Sequence, residues 1–263
     1  MEKNAILVVS FGTSYAENRK KTIGAIEERI RNEFSNFQVY RAFTSKMIKR
    51  KMEQEGTPVY NVTEALRAMQ KEGINGTLII QPTHVINGLE YQWMLEEVKP
   101  YESYFAQVQY GKPLLTDVKD YKELARIVSA SYEVDTDEAL VLMGHGSEHY
   151  SNSAYSALEY VFRDMGRENI FVGTVEGYPG IEEVKGQLRK NKIKKACLVP
   201  LMIVAGDHAN HDMIGEEDSW KDQLEEDGIR VRFYLKGLGE SEQVQQMFLR
   251  HVEESRTKKQ MRA

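Results

Sequence analysis

Seven short apolar runs, at residues 5–9, 38–43, 76–80, 139–143, 170–175, 196–201 and 231–235, alternate along the chain with amphipathic segments. That alternation predicts βα units feeding parallel sheets and argues against an antiparallel meander. Between the runs, Ile23, Ile26, Ile30 and Phe34 recur at helical spacing, as do Ala154, Leu158, Val161, Phe162 and Met165. Gly73 ends a helix carrying Val62, Leu66 and Met69. A last helix bearing Val244, Met247, Phe248 and Val252 is expected to fray into a solvated basic tail at 256–263.

A faint internal repeat runs under the alternation. Ala5-Ile6-Leu7-Val8-Val9-Ser10-Phe11-Gly12 resembles Ala139-Leu140-Val141-Leu142-Met143-Gly144-His145-Gly146, which sets Phe11 opposite His145. Phe43-Thr44-Ser45 lies over Val175-Glu176-Gly177, and Ile86-Asn87-Gly88-Leu89-Glu90 over Val204-Ala205-Gly206-Asp207-His208. Glu90 then becomes the counterpart of His208. Length permits two domains of about half the chain each. The expected division is 1–128 and 129–263, two similar α/β domains, each a parallel sheet flanked by helices, with a ligand cleft between them.

Four of the six histidines, His145, His149, His208 and His211, fall in two short segments. Under the repeat, His145, Glu176 and His208 project from the carboxyl ends of three neighbouring strands, where open α/β sheets bind ligands. Two imidazoles and a carboxylate suit a borderline divalent ion such as cobalt(II), iron(II), nickel(II) or zinc(II) and leave coordination positions open. The single Cys197 excludes a thiolate cage and is expected to pack as a small apolar side chain. His149 and His211 sit in glycine-led loops without the helical spacing that would aim them, His84 ends a strand of the first half, and His251 is expected in solvent. Gly12, Gly88, Gly144 and Gly206 are read as permitting tight strand-to-helix turns.

Composition narrows the partners. A net charge of -5, with 29% charged and 41% hydrophobic residues, does not suit a nucleic-acid binder. No stretch approaches the roughly 20 apolar residues of a membrane span, and the start of the chain lacks the pattern of a secretory signal. A cytoplasmic enzyme is the expectation, with homo-oligomerisation left open.

Five segments resemble the anaerobic cobalt chelatases of the CbiK family: residues 8–14, 81–91, 143–147, 173–179 and 206–212, in order through nearly the whole chain. The resemblance implies a chelatase-like fold shared with the ferrochelatases. It also implies insertion of cobalt(II), the substrate metal, into sirohydrochlorin or its reduced precursor on the oxygen-independent route to cobalamin, without ATP or an organic cofactor. His145, Glu176 and His208 match the metal-site residues, and Glu90 lies on a segment bordering the tetrapyrrole cleft. Expulsion of two pyrrole protons requires acceptors, a role open to His145 and His208 as well as metal binding. The substrate's carboxylates require donors. Ser10, Thr13 and Ser14 at the first strand-to-helix turn resemble an anion-binding helix start, His84 is placed at the cleft rim, and the basic run 45–51 is read first as a solvated helix face. Iron(II) insertion for sirohaem or haem, and a non-catalytic tetrapyrrole or metal carrier, stay open. Histidine-based phosphoryl transfer is disfavoured because Met143-Gly144 stands where a phosphate-clamping arginine would be.

Overall fold

The computed structural model describes residues 2–257. In chain order the strands and α-helices are β1 (Asn4–Ser10), α1 (Ala16–Arg19), α2 (Ala25–Glu33), β2 (Phe37–Phe43), α3 (Lys46–Gln54), α4 (Val62–Lys71), β3 (Thr77–Pro82), α5 (Leu89–Val98), β4 (Gln107–Tyr110), α6 (Val118–Ser131), β5 (Glu138–Gly144), α7 (Ser153–Asp164), β6 (Ile170–Thr174), α8 (Ile181–Lys190), β7 (Lys195–Pro200), α9 (Trp220–Glu226), β8 (Arg230–Phe233) and α10 (Glu242–Thr257). Two π-turns, Lys20–Gly24 and Ala209–Met213, interrupt the α-helical pattern.

The chain divides into two units. The first runs to Thr116 and is rejoined by the chain from Gly239 onward; the second is Asp117–Leu238. This differs from the division at 128/129 predicted from the sequence, which would cut through α6 and give the last helix to the second half. The physical reason lies in packing. α10 lays Val244, Met247, Phe248 and Val252 inward and packs on α2, β3 and β4. His251, expected in solvent, is buried there with Nδ1 3.1 Å from the Lys112 carbonyl, while Lys112 pairs with Glu254 at 2.7 Å. The helix also outlasts its predicted end: Arg256 lies over the rings of Phe34 and Phe37 at 5.4 and 5.7 Å. The rest of the predicted tail, 258–263, lies outside the described residues.

Each unit contains one four-stranded parallel sheet, in the order β2-β1-β3-β4 in the first and β6-β5-β7-β8 in the second. The shared order is the structural form of the internal repeat. The central strands β1 and β5 are buried on both faces, so their residues are apolar without alternation. On one face of the first sheet Ala5, Leu7, Val9, Leu78 and Ile80 meet α4 and α5; on the corresponding face of the second, Ala139, Val141, Met143, Ala196 and Leu198 meet α8, α9 and the second π-turn. The strand the sequence reading missed is β4. Its Gln107-Val108-Gln109-Tyr110 is half-buried at a sheet edge and lacks the apolar run that marks the others.

Register places the repeat residue by residue. Val9 pairs with Pro82 and Met143 with Pro200, and Glu90 and His208 each follow eight residues later, so they correspond. The second strands differ by one residue from the alignment made on sequence. Ser45 N–H donates to the Phe11 carbonyl as Glu176 N–H donates to that of His145, which makes Ser45, not Thr44, the counterpart of Glu176. The first unit thus holds Phe11, Ser45 and Glu90 where the second holds His145, Glu176 and His208.

Candidate metal centre

In the second unit the chain passes from β5 outward to β6 and returns to the other side of β5 as β7, which puts the topological switch point between β5 and β7. His145 follows β5, Glu176 follows β6 and His208 follows β7. One ligand atom from each of the three lies within 4.8 Å of the others. Donors bonded at about 2.1 Å on opposite sides of an ion stand roughly 4.2 Å apart, so small side-chain shifts close the sphere. The two imidazole rings stand edge to face at 4.5 Å. All three side chains reach solvent, with exposures of 36%, 56% and 31%, so an ion held here keeps positions open to a second ligand.

Backbone geometry brings His145 and Glu176 together. Glu176 N–H donates to the His145 carbonyl at 2.8 Å and Val175 N–H to that of Gly144 at 3.0 Å, which continues the β5–β6 ladder past the strands. Gly146, at φ +87°, then turns the chain so closely over the β6 loop that an added Cβ would lie 2.8 Å from Gly177 N and 2.9 Å from the Glu176 carbonyl carbon. Asn152, buried at the start of α7, clasps both loops: its Oδ1 accepts from Ser147 N–H at 3.0 Å and its Nδ2 donates to the Tyr178 carbonyl at 2.6 Å. Behind the turn, Tyr155 fills the space a Gly144 side chain would need, and burial pushes its hydroxyl up to about 12. Of the glycines expected to open the turns, only Gly12 takes a positive φ. In the second unit that geometry falls on Gly146, after the histidine and not before it.

The ring nitrogens are assigned by their partners. A carbonyl only accepts, so His145 Nδ1, 3.0 Å from the Gly146 oxygen and 3.7 Å from Glu176 Oε2, is the donor there, which leaves Nε2 as the nitrogen open to an ion. His208 Nδ1 lies 2.8 Å from Asp212 Oδ2, with the same consequence. Sequence reasoning passed over Asp212 and Asn152. The i, i+4 spacing of His208 and Asp212 was a usable signal, whereas nothing local marked Asn152.

The other predicted residues fall outside this cluster. His149 bonds Ser151 and caps a short 3-10 turn, and His211 is exposed on the second π-turn. Cys197 is buried, which pushes its thiol up to about 11. In the first unit the Ser10 and Thr83 hydroxyls bond each other at 2.7 Å, and Thr13 Oγ1 accepts from Tyr15 N–H. Ser14 is half-buried with its carbonyl held by Arg19. Lys46 and Arg50 are exposed on α3, and Lys49 pairs with Glu53 and Glu64.

Glu90 Oε2 and both ring nitrogens of His84 are covered and have no hydrogen-bond partner among the described residues. Burial pushes His84 down to about 4, so it is neutral at pH 7. An unfolded histidine titrates near 6.5. Between these values the unfolded chain takes a proton that the folded chain refuses, so acidification destabilises the fold by up to about 3 kcal/mol. Urea unfolding at several pH values should therefore show wild type losing roughly that much more stability than His84→Gln between pH 7 and pH 4. Parallel profiles would contradict it.

Comparison with known proteins places these features in context. The family model of the cobalt chelatase CbiK matches residues 4–257. A sirohydrochlorin cobaltochelatase of Salmonella typhimurium is 36% identical over 256 residues, with 96% of each chain covered. A second, CbiKC of Nitratidesulfovibrio vulgaris, is 31% identical over 257 residues, covering 96% of this chain and 90% of the relative. Among solved structures, SirB from Bacillus subtilis with Fe3+ superposes with a TM-score of 0.69 at 17% identity, covering 100% and 98% of the two chains. CbiX, described as the terminal enzyme of sirohaem biosynthesis in denitrifying bacteria, gives 0.58 at 12% identity, covering 96% and 99%. At these identities the two structures establish a common fold.

Proposed function

The chain belongs to the CbiK cobalt chelatase family, and we propose that it inserts cobalt(II) into a sirohydrochlorin-type tetrapyrrole in anaerobic cobalamin biosynthesis. The observation that carries this reading is the convergence of His145, Glu176 and His208 within 4.8 Å at the switch point of the second sheet. Two neutral imidazoles and one carboxylate hold a divalent ion without neutralising it. The remaining positive charge favours attack by pyrrole nitrogen lone pairs at the open positions.

The reaction balances as one cobalt(II) ion and one free-base macrocycle giving the metallated macrocycle and two protons. As the macrocycle nitrogens replace His145 and His208 on the metal, each released Nε2 lone pair becomes available to a departing pyrrole proton. Glu176 offsets charge through the exchange. On the first unit, Glu90 and His84 are the residues we assign to tetrapyrrole binding, because their buried polar atoms lack partners. The turn bearing Ser10, Thr13 and Ser14 is assigned to the substrate's carboxylates, with the Ser10 and Thr13 hydroxyls supporting its shape. Among the described residues no helix is long and apolar enough to cross a membrane.

An anaerobic absorption assay of sirohydrochlorin with cobalt(II), iron(II) or nickel(II) tests the reading, since metallation shifts the macrocycle's spectrum. Many turnovers per chain, fastest with cobalt(II), are expected. Faster iron(II) insertion would reassign the enzyme to sirohaem or haem synthesis. Conversion that stops at one equivalent per chain would make the protein a carrier.

A further inference from the structure

We propose that Asp212 is the positioning residue for metal capture, the carboxylate that fixes the ring of His208 so that Nε2 faces the incoming ion. The inference rests on the metal-binding reading of His145, Glu176 and His208 and adds a residue outside that set. His208 already has helical backbone angles at the entry to the π-turn Ala209–Met213, and Asp212 follows one turn later with Oδ2 2.8 Å from Nδ1. Ala209 and Met213, offset by one residue from that pair, are both fully buried in the core of the second unit. They anchor the turn, so the backbone presents His208 and Asp212 side by side on the adjoining, partly exposed stripe.

The turn itself is closed at both ends. Asn210 N–H and Nδ2 donate to the Gly206 carbonyl at 3.1 and 2.7 Å, and Gly215 N–H donates to that of His211 at 2.9 Å. A Cβ at Gly215 would stand 2.4 Å from the His211 oxygen, so the closure depends on glycine there. π-turns of this kind are frequent at functional sites.

An exposed ion pair alone would contribute little to stability. Here the pair acts through the histidine. A carboxylate that accepts the Nδ1 proton fixes the tautomer, holds the ring plane and raises the basicity of the opposite nitrogen. His145 Nδ1 has the Gly146 carbonyl at 3.0 Å, with the Glu176 carboxylate farther off at 3.7 Å.

Cobalt(II) titration of the purified protein without tetrapyrrole, followed by the ion's visible absorption, tests the proposal independently of turnover. His208→Ala serves as the control for the triad. Asp212→Ala should weaken cobalt binding about 10- to 100-fold, raise KM for cobalt(II) more than it lowers kcat, and leave the melting temperature unchanged. Asp212→Asn should recover part of the affinity, since its amide oxygen can still accept from Nδ1–H. Wild-type cobalt affinity in Asp212→Ala, or no recovery in Asp212→Asn, would overturn the proposal while leaving the triad intact. If His208→Ala binds cobalt as wild type does, the metal-site reading fails instead.

Discussion

His145→Ala and His208→Ala should each lower cobalt insertion by more than about 100-fold in kcat/KM, a loss of at least roughly 2.7 kcal/mol of transition-state stabilisation, with folding nearly unchanged. The asymmetry follows from where the rings sit. Each is about one-third exposed and lies outside the apolar cluster beneath it, His145 just past β5 and His208 at the entry to the second π-turn, so truncation should cost the fold little. Each is nevertheless one of only three donors in the cluster. Losing one leaves an imidazole and a carboxylate, which hold a divalent ion weakly and offer one lone pair fewer to the departing protons. Initial rates under anaerobic conditions, with circular dichroism melting as the folding control, check this. Full activity in both variants would remove these histidines from the chemistry; loss of activity only with loss of fold would make them structural.

The sheets were legible in the sequence because burial on both faces leaves a parallel central strand no polar positions. Ala5-Ile6-Leu7-Val8-Val9 and Ala139-Leu140-Val141-Leu142-Met143 are such strands, and their likeness exposed the repeat that the common strand order bears out. β4 escaped because an edge strand half open to solvent tolerates glutamine at alternate positions. The destination of α10 escaped for another reason. Amphipathic periodicity says which face of a helix is buried, not which sheet buries it, and chain order suggested the nearer one.

The convergence of His145 and Glu176 was legible for a local reason, since residues just past neighbouring parallel strands gather at the carboxyl edge; His208 reaches the same place only through the eight residues that follow β7. What holds the donors was less visible. Asn152 lies far in sequence from Tyr178 and reaches its carbonyl only through the fold. The one-residue shift that makes Ser45 the counterpart of Glu176 was hidden because flanking residues on the two second strands share no motif. It became apparent only from the matching backbone bonds to Phe11 and His145.

Gly146→Ala should weaken cobalt(II) binding beyond what its loss of stability explains, and the repeat supplies its control. Gly12 and Gly146 occupy equivalent turns at φ +104° and +87°, where any side chain strains the backbone by roughly 1–3 kcal/mol. Both also lack room. At Gly12 the new Cβ would meet the Phe43 ring, with Cδ2 at 2.4 Å, whereas at Gly146 it would meet Gly177 N, Glu176 C and Thr174 Cβ at 2.8 to 2.9 Å. Relief at Gly12 must displace the fully buried Phe43 ring within the first unit, away from the three donors, whereas at Gly146 it must displace the backbone that carries Glu176. That backbone is tied by the Glu176–His145 and Asn152–Tyr178 hydrogen bonds. Relief of the clash must therefore widen the gap between the loops bearing two of the three donors. Both variants should lose about 2–4 kcal/mol of stability in urea, but only Gly146→Ala should also weaken cobalt(II) binding, by about 10-fold or more, in protein confirmed to be folded. Equal cobalt affinity in the two variants would mean that the spacing of the donors does not depend on how closely the β5 and β6 loops approach.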